Sequence, residues 1–110
     1  FDFKNTSWHL VSDGKDNIGP EVSNAALDLV DDGEVLLVFG GTTVSGTDSS
    51  KIYAFNFTSL TWTTLSTSLP SPRHGMGSWG RGEGVVWGGA GAVGLEGPFF
   101  GDTLELSVST

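Results

Sequence analysis

The 110-residue chain lacks cysteine, carries few basic residues and has no apolar run long enough to cross a bilayer. Without cysteine it can form neither a disulfide framework nor a thiolate metal site. Five lysines and arginines against 13 aspartates and glutamates give a formal charge of −8. This charge repels a phosphate backbone, so we expect no nucleic-acid partner. Since a spanning helix needs about 18 apolar residues in a row, we also expect no membrane insertion within the chain.

Glycine and strand-forming residues are abundant instead. The chain has 17 glycines and is 37% hydrophobic, which is more apolar than a disordered tail. No helix signal is present, and four apolar or aromatic runs alternate with turn residues. These runs cover residues 24–30, 34–39, 51–57 and 61–65. We predict an antiparallel meander in which Asp31-Asp32-Gly33 forms a tight hairpin turn at positive φ.

The sequence also repeats itself with a period of about 50 residues, which is typical of repeat architectures. Four landmarks recur in the same order, at offsets between 48 and 54 residues: Trp8 as Trp62, Pro20 as Pro72, Gly40-Gly41 as Gly88-Gly89, and residues 52–55 as 103–106. In this alignment Glu21 stands opposite Arg73, and Met76 stands where a histidine is customary.

Together the landmarks resemble the kelch-repeat β-propellers, in which an apolar strand ending in Gly-Gly is followed by an aromatic strand, a tryptophan and Pro-Arg. The resemblance covers nearly the whole chain and implies four-stranded antiparallel blades arranged radially. It implies one complete blade over residues 20–66, an incomplete next blade over 70–110 and the outer strand of a preceding blade within 1–12. The further strands would be 8–11, 74–79, 84–87 and 103–108. We therefore expect a partial propeller that the remaining blades of the same protein, or neighbouring chains, complete.

The resemblance gives structural roles to a set of glycines and aromatic residues. A Gly-Gly pair at the end of an inner strand permits positive φ or a close backbone approach. The repeated tryptophans would pack between adjacent blades, each offering about 150–250 Å² of surface. Tyr53 shares one strand face with Phe55 and Phe57. The structural residues are Trp8, Gly40, Gly41, Tyr53, Trp62, Gly88 and Gly89.

Motifs for catalysis or cofactor binding are weak. G-x-G-x-x-G occurs at 75–80 and 89–94, but neither copy opens a helix that would hold a pyrophosphate, so no dinucleotide is expected. Four acidic residues between 28 and 34 lack the spacing of a calcium loop. His9 and His74 are the two imidazoles in the sequence. We predict no catalytic set, no metal and no cofactor.

Two pairs of residues are candidate contacts for a partner or ligand. Arg73 and His74 begin an inner strand and would face the central channel of a propeller. Phe99 and Phe100 lie on a glycine-rich loop, where exposed aromatic rings favour a partner; the alternative is packing over the propeller's own surface. The leading interpretation is a non-catalytic scaffold segment that binds a protein or a glycan. One alternative is a segment of a kelch-type propeller enzyme, similar to the galactose oxidase-like copper enzymes, with its catalytic residues elsewhere; another is a structural subunit of an assembly.

Two N-x-[ST] sequons occur, at Asn5 and Asn56. Both map to the same outer region of successive repeats, where a glycan would be tolerated. Together with the low content of lysine and of charge, they favour a secreted or extracellular location. We expect both asparagine side chains to point to solvent.

Overall fold

The computed structural model describes residues 7–11, 17–79, 84–91 and 99–106. Within these ranges the chain forms antiparallel strands and no helix, so none of them contains a helix that could span a membrane. The strands are β1 (Val22–Ser23), β2 (Ala26–Val30), β3 (Val35–Phe39), β4 (Thr42–Thr43), β5 (Lys51–Asn56), β6 (Thr61–Ser68), β7 (Gly77–Trp79), β8 (Val85–Trp87) and β9 (Thr103–Glu105). The predicted all-β class is confirmed.

The largest element is a four-stranded meander in the order β2-β3-β5-β6, with all neighbours antiparallel. Its first hairpin turns through Asp31, Asp32 and Gly33, whose φ angles are 54°, 53° and 83°. The loop is closed by the amide of Gly33, which donates to the carbonyl of Val30 at 3.1 Å. Asp31 and Asp32 therefore act as turn residues. At the other edge of the meander, β6 continues three residues past its predicted end at Leu65.

The second sheet has three short strands in the order β7-β8-β9, again antiparallel. His74, predicted to begin the first of them, instead forms an isolated bridge with Ala90, ahead of β7. Residues 107–108 of the predicted last strand lie outside the described residues. A further pair, β1 with β4, joins two-residue strands that the sequence did not predict.

The internal repeat is visible in the backbone register. Phe39, one residue before the first Gly-Gly pair, is paired with Ala26 on one side and Ile52 on the other. Trp87, one residue before the second pair, stands between Gly77 and Thr103 in the same way. The two sheets are therefore equivalent, with an offset of 51 residues between their first strands.

This register corrects the sequence alignment by one position around Arg73. Ser23 pairs with Thr42 as His74 pairs with Ala90, so His74 is equivalent to Ser23. Val22, rather than Glu21, is then the equivalent of Arg73. The offset of 52 read from the two prolines does not continue into the paired residues.

The core lies where one face of the four-stranded sheet packs against the three-stranded sheet. Its buried members are Ala26, Leu37, Phe39 and Ile52 of the first sheet, Leu69 and Met76 of the chain that joins the sheets, and Val86 of the second sheet. Leu104 and Leu106 pack against them from the second sheet. The sheets within the described residues do not close into a ring, and the propeller remains an expectation.

The two repeated tryptophans differ from what the repeat predicted. Trp8 is fully exposed, and residues 7–11 form no strand, contrary to the predicted outer strand. Since no described strand pairs with these residues, the indole of Trp8 has no apolar surface to cover it. Trp62 is half-buried on the four-stranded sheet, 5.0 Å from the ring of Phe55 between centroids and against the backbone of Gly19.

Candidate binding site at the Gly-Gly loops

The two Gly-Gly loops come together at one end of the sheets. We define the first Gly-Gly loop as residues 40–50 and the second as the described residues 88–91 and 99–102. Each begins at a strand end with the same bonds: the amide of Gly40 donates to Lys51 O, and that of Gly88 donates to Asp102 O, both at 3.0 Å. The chain between the sheets ties the loops together, because Arg73 O accepts from the amide of Gly41 at 2.9 Å.

Glycine is required in both loops, at the first position of one Gly-Gly pair and at the second position of the other. Gly40 has a φ of +61°, and a Cβ there would lie 2.6 Å from Arg73 O. Gly89 has a φ of +93°, and a Cβ there would lie 2.7 Å from His74 O. Both positions combine a left-handed backbone with a carbonyl oxygen at a distance that a side chain does not tolerate. The Gly-Gly pairs thus let the backbone of residues 73 and 74 run directly over the loops.

Arg73 is a buried connection between the two loops. Its side chain is about 2% exposed and forms two hydrogen bonds with the carboxylate of Asp102, at 2.6 and 3.2 Å. The guanidinium also donates to Ser71 Oγ at 2.7 Å and to Gly88 O at 3.3 Å, and it stacks 4.0 Å from the centre of the Phe100 ring. Its Nε has no hydrogen-bond partner among the described residues. The two terminal nitrogens of Arg73 are therefore engaged by hydrogen-bond partners within the protein.

The ion pair with Arg73 also sets the titration of Asp102. This carboxylate is 41% exposed at the rim of the second loop. The hydrogen bonds that Arg73 donates hold the pKa of Asp102 below its ordinary value of 3.8. The ion pair is consequently intact at neutral pH.

His74 is paired with a buried carboxylate of the first loop. Its Nδ1 lies 2.9 and 3.0 Å from the two oxygens of Asp48, whose side chain is 3% exposed. Thr42 Oγ1 donates to the same carboxylate at 3.1 Å. The imidazole is half-buried, and its backbone exchanges two 2.9 Å hydrogen bonds with Ala90. His74 is thereby held in one orientation by both loops.

An open pocket of about 340 Å³ lies beside this imidazole. It is lined by His74, Gly75, Gly89, Ala90, Phe99 and Phe100. Phe99 is 71% exposed, whereas Phe100 is half-covered beneath Arg73. The structure therefore brings three of the four predicted contact residues to one pocket and withdraws Arg73 from it.

Asp48 and Asp102 were not predicted as site residues. Asp48 lies in a polar loop and Asp102 at the end of a glycine-rich loop, and they are 26 and 29 residues from their partners. A weak signal exists for Asp102, which follows Phe99-Phe100-Gly101 at the end of the glycine-rich loop. None exists for Asp48, whose neighbours are serine and threonine residues typical of any turn.

The predicted glycosylation site at Asn56 falls at the opposite end of the sheet from the Gly-Gly loops. Asn56 is exposed at the end of β5, and its Oδ1 accepts from the amides of Thr58 and Ser59 at 2.8 and 3.1 Å. The carboxamide therefore caps the turn into β6 while its side chain stays at the surface. Asn5 lies outside the described residues.

The described part of the site has little capacity to bind a metal ion. Among the described residues no group of three or more histidine, aspartate or glutamate side chains is arranged to hold a metal ion. The arrangement offers instead one fixed imidazole and one exposed aromatic ring above a glycine backbone. In comparisons with known proteins, no family model and no curated protein matched the chain.

Proposed function

We propose that the chain is a non-catalytic scaffold segment of a kelch-like propeller, which binds a protein or glycan partner through its Gly-Gly loops. The observation that carries the proposal is an apolar sheet face that exposes Leu27 and Leu29 at its edge, whereas the equivalent face of the second sheet packs on the first sheet. We call it the open face. It consists of two cross-strand rows of the four-stranded sheet, Leu27, Val38 and Tyr53, and Leu29, Leu36, Phe55 and Trp62.

The equivalence follows from the register. Val38 lies two residues before the first Gly-Gly pair and is paired with Tyr53. Val86 lies two residues before the second Gly-Gly pair and is paired with Leu104 in the same way. Val86 is 1% exposed because this row of the second sheet packs on the first sheet. Val38, the equivalent of Val86, is 4% exposed, and Phe55 is also 4% exposed. The exposed part of the open face is therefore its β2 edge, where Leu27 and Leu29 are 51% and 49% exposed. A further sheet stacked on the open face would repeat the interface that already joins the two sheets.

The binding role is supported by the loops at the Gly-Gly end. Each loop presents an apolar side chain to solvent, Val44 at 82% exposure in the first and Phe99 at 71% in the second. Apolar side chains grouped at one end of a rigid scaffold are a common basis for partner recognition. The described part of the site supplies no nucleophile paired with His74, which favours binding over catalysis.

Charge placed on the open face tests the scaffold. In the full natural polypeptide, Leu27→Lys and Leu29→Lys should each lower the free energy of unfolding by about 2 kcal/mol or more, because each would bury an amine between sheets. Val44→Lys is the matched control and should stay within about 0.5 kcal/mol, as an exposed position does. Denaturant unfolding measures all three. Equal, small effects would show that no sheet covers the open face.

Assays on the same polypeptide test the absence of catalysis. Metal analysis should find no stoichiometric copper, and incubation with primary alcohols or galactose should consume no oxygen. Stoichiometric copper with oxidase activity would replace the scaffold proposal with the propeller-enzyme alternative.

A further inference from the structure

The pocket at the Gly-Gly loops has the chemistry of a small ligand site. Its volume of about 340 Å³ is at the lower end of the range of about 300–1,000 Å³ for ligand pockets. Gly75 and Gly89 contribute backbone to its lining, both at positive φ. Nothing lies within 4 Å of where a Cβ of Gly75 would stand, so the floor is open at this point. The space suits one small ring rather than an extended chain.

His74 contributes one defined hydrogen-bonding atom to this pocket. Because an ionised carboxylate only accepts hydrogen bonds, the contacts with Asp48 place the imidazole proton on Nδ1. In this tautomer Nε2 is an acceptor, and it has no hydrogen-bond partner among the described residues. The side chain of His74 is 18% exposed and lines the pocket. A ligand hydroxyl can donate to Nε2 without displacing any bond within the protein.

Phe99 contributes an aromatic surface on the same pocket. Its exposure of 71% leaves most of the ring uncovered, while Arg73 covers the neighbouring ring of Phe100. An exposed aromatic ring beside a fixed polar atom recognises a ligand that has both an apolar face and polar edges.

The surrounding charge excludes other ligand classes. Asp48 lies directly behind His74, and the chain carries a formal charge of −8, so an anion would be repelled. The nearest guanidinium, that of Arg73, already pairs with Asp102. The pocket lining described in the structure has a single side chain able to coordinate a metal ion, which is too few for a site. A neutral ligand with several hydroxyl groups remains.

We propose that this pocket binds a saccharide unit, with a sugar hydroxyl donating to His74 Nε2 and the C–H face of the sugar ring stacked on Phe99. The inference rests on the proposed function, of which it specifies the partner as a glycan. The net affinity is expected to be weak, with a dissociation constant on the order of 1 mM, because the contact is small and open to solvent.

Saturation-transfer NMR on the full natural polypeptide tests the proposal, with D-glucose, D-galactose and N-acetylglucosamine as the probes. At least one sugar should receive saturation on its ring C–H protons. The ring ¹⁵N shifts of His74 should show the tautomer with the proton on Nδ1, and the sugar should perturb the shift of Nε2. This second readout reports the hydrogen bond itself and would not respond to a purely structural role of His74.

Three variants make the test specific. Phe99→Ala and His74→Ala should each weaken the binding by about threefold to tenfold, the loss expected for one stacked ring or one hydrogen bond. Ile18→Ala removes an apolar side chain that is 65% exposed and lies outside both Gly-Gly loops, and it should leave the affinity unchanged. Because Phe99 is exposed, its substitution should not disturb folding, which circular dichroism verifies.

Three results would overturn the proposal: no saturation transfer to any of the three sugars, transfer that is equally strong in Phe99→Ala, or stronger binding of acetate than of the sugars. Failure of the proposed function is recognised separately, by the stability of the open-face variants. A polypeptide destabilised by Leu27→Lys that binds no sugar would retain the scaffold and lose the saccharide site.

Discussion

Replacing Gly40 with alanine tests whether the first Gly-Gly pair is required by its surroundings as well as by its backbone angle. At a φ of +61° an L-residue costs about 1–2 kcal/mol relative to glycine. The added Cβ would also lie 2.6 Å from Arg73 O and 2.9 Å from Met76 Cε. The methionine end can move, but Arg73 O is fixed by the amide of Gly41 at 2.9 Å. We assign about 1–3 kcal/mol to this overpacking, for a total of about 2–5 kcal/mol.

Gly75→Ala is the matched control, since its φ is +69° and no heavy atom lies within 4 Å of the added Cβ. It should show the backbone cost alone. Both substitutions restrict the unfolded chain equally, so that contribution of about 0.4–1 kcal/mol cancels in the comparison.

Denaturant unfolding and native-state hydrogen exchange measure the difference. In Gly40→Ala the amide of Gly41, which donates to Arg73 O, should exchange about fivefold to 150-fold faster than in Gly75→Ala, the factor that corresponds to about 1–3 kcal/mol. Equal destabilisation by the two variants would refute the close approach of the loops to residues 73 and 74.

Three further predictions follow from burial, charge and exposure. Phe39→Ala should lower the free energy of unfolding by about 3–5 kcal/mol, because the ring is 1% exposed in the core, while Phe99→Ala should change it by less than about 0.5 kcal/mol. Denaturant titrations measure both changes, and similar free energies for the two variants would contradict the assigned core. Because the pKa of Asp102 is lowered in the folded protein, its ionised carboxylate stabilises the fold at pH values above the ordinary pKa of 3.8, and this contribution is lost as the pH falls through the folded pKa. Asp102→Asn should therefore flatten the dependence of the free energy of unfolding on acid pH. An unchanged slope between about pH 5 and pH 2 would argue against the ion pair. Asn56 should carry a glycan in natively produced protein, seen as a mass change on deglycosylation, and an unmodified Asn56 would favour an intracellular scaffold.

Strands with a periodic side-chain pattern were predictable from the sequence. Tyr53 and Phe55 alternate with smaller residues along β5, and the aspartates before Gly33 mark the hairpin that joins β2 to β3. The pairing of β1 with β4 was not predictable, because two residues are too few to show a period. The predicted packing of Trp8 was wrong, because the recurrence of a tryptophan does not establish that the surface it would pack against is present.

Of the candidate site, the sequence predicted the residues on the inner strand and the aromatic loop but not the carboxylates that hold them. The pairing of His74 with Asp48 joins two loops that are 26 residues apart, and no local pattern connects them. The burial of Arg73 depends on Asp102 and Phe100, both brought to it by the folded second sheet. Long-range pairs of this kind depend on the register of the sheets, which one sequence leaves open.

The unequal lengths of the two sheets have a consequence for the order of folding. The strands of the first sheet have five to eight residues, whereas those of the second have three each, too few to persist in water without a surface to pack on. The amide of Gly84, beside β8, donates to the buried carboxylate of Asp28 on β2, across 56 residues of chain. We therefore expect the first sheet to form earlier and to provide the surface on which the second sheet packs. We expect substitutions in β2 and β3 to slow folding, and those in β8 and β9 mainly to accelerate unfolding.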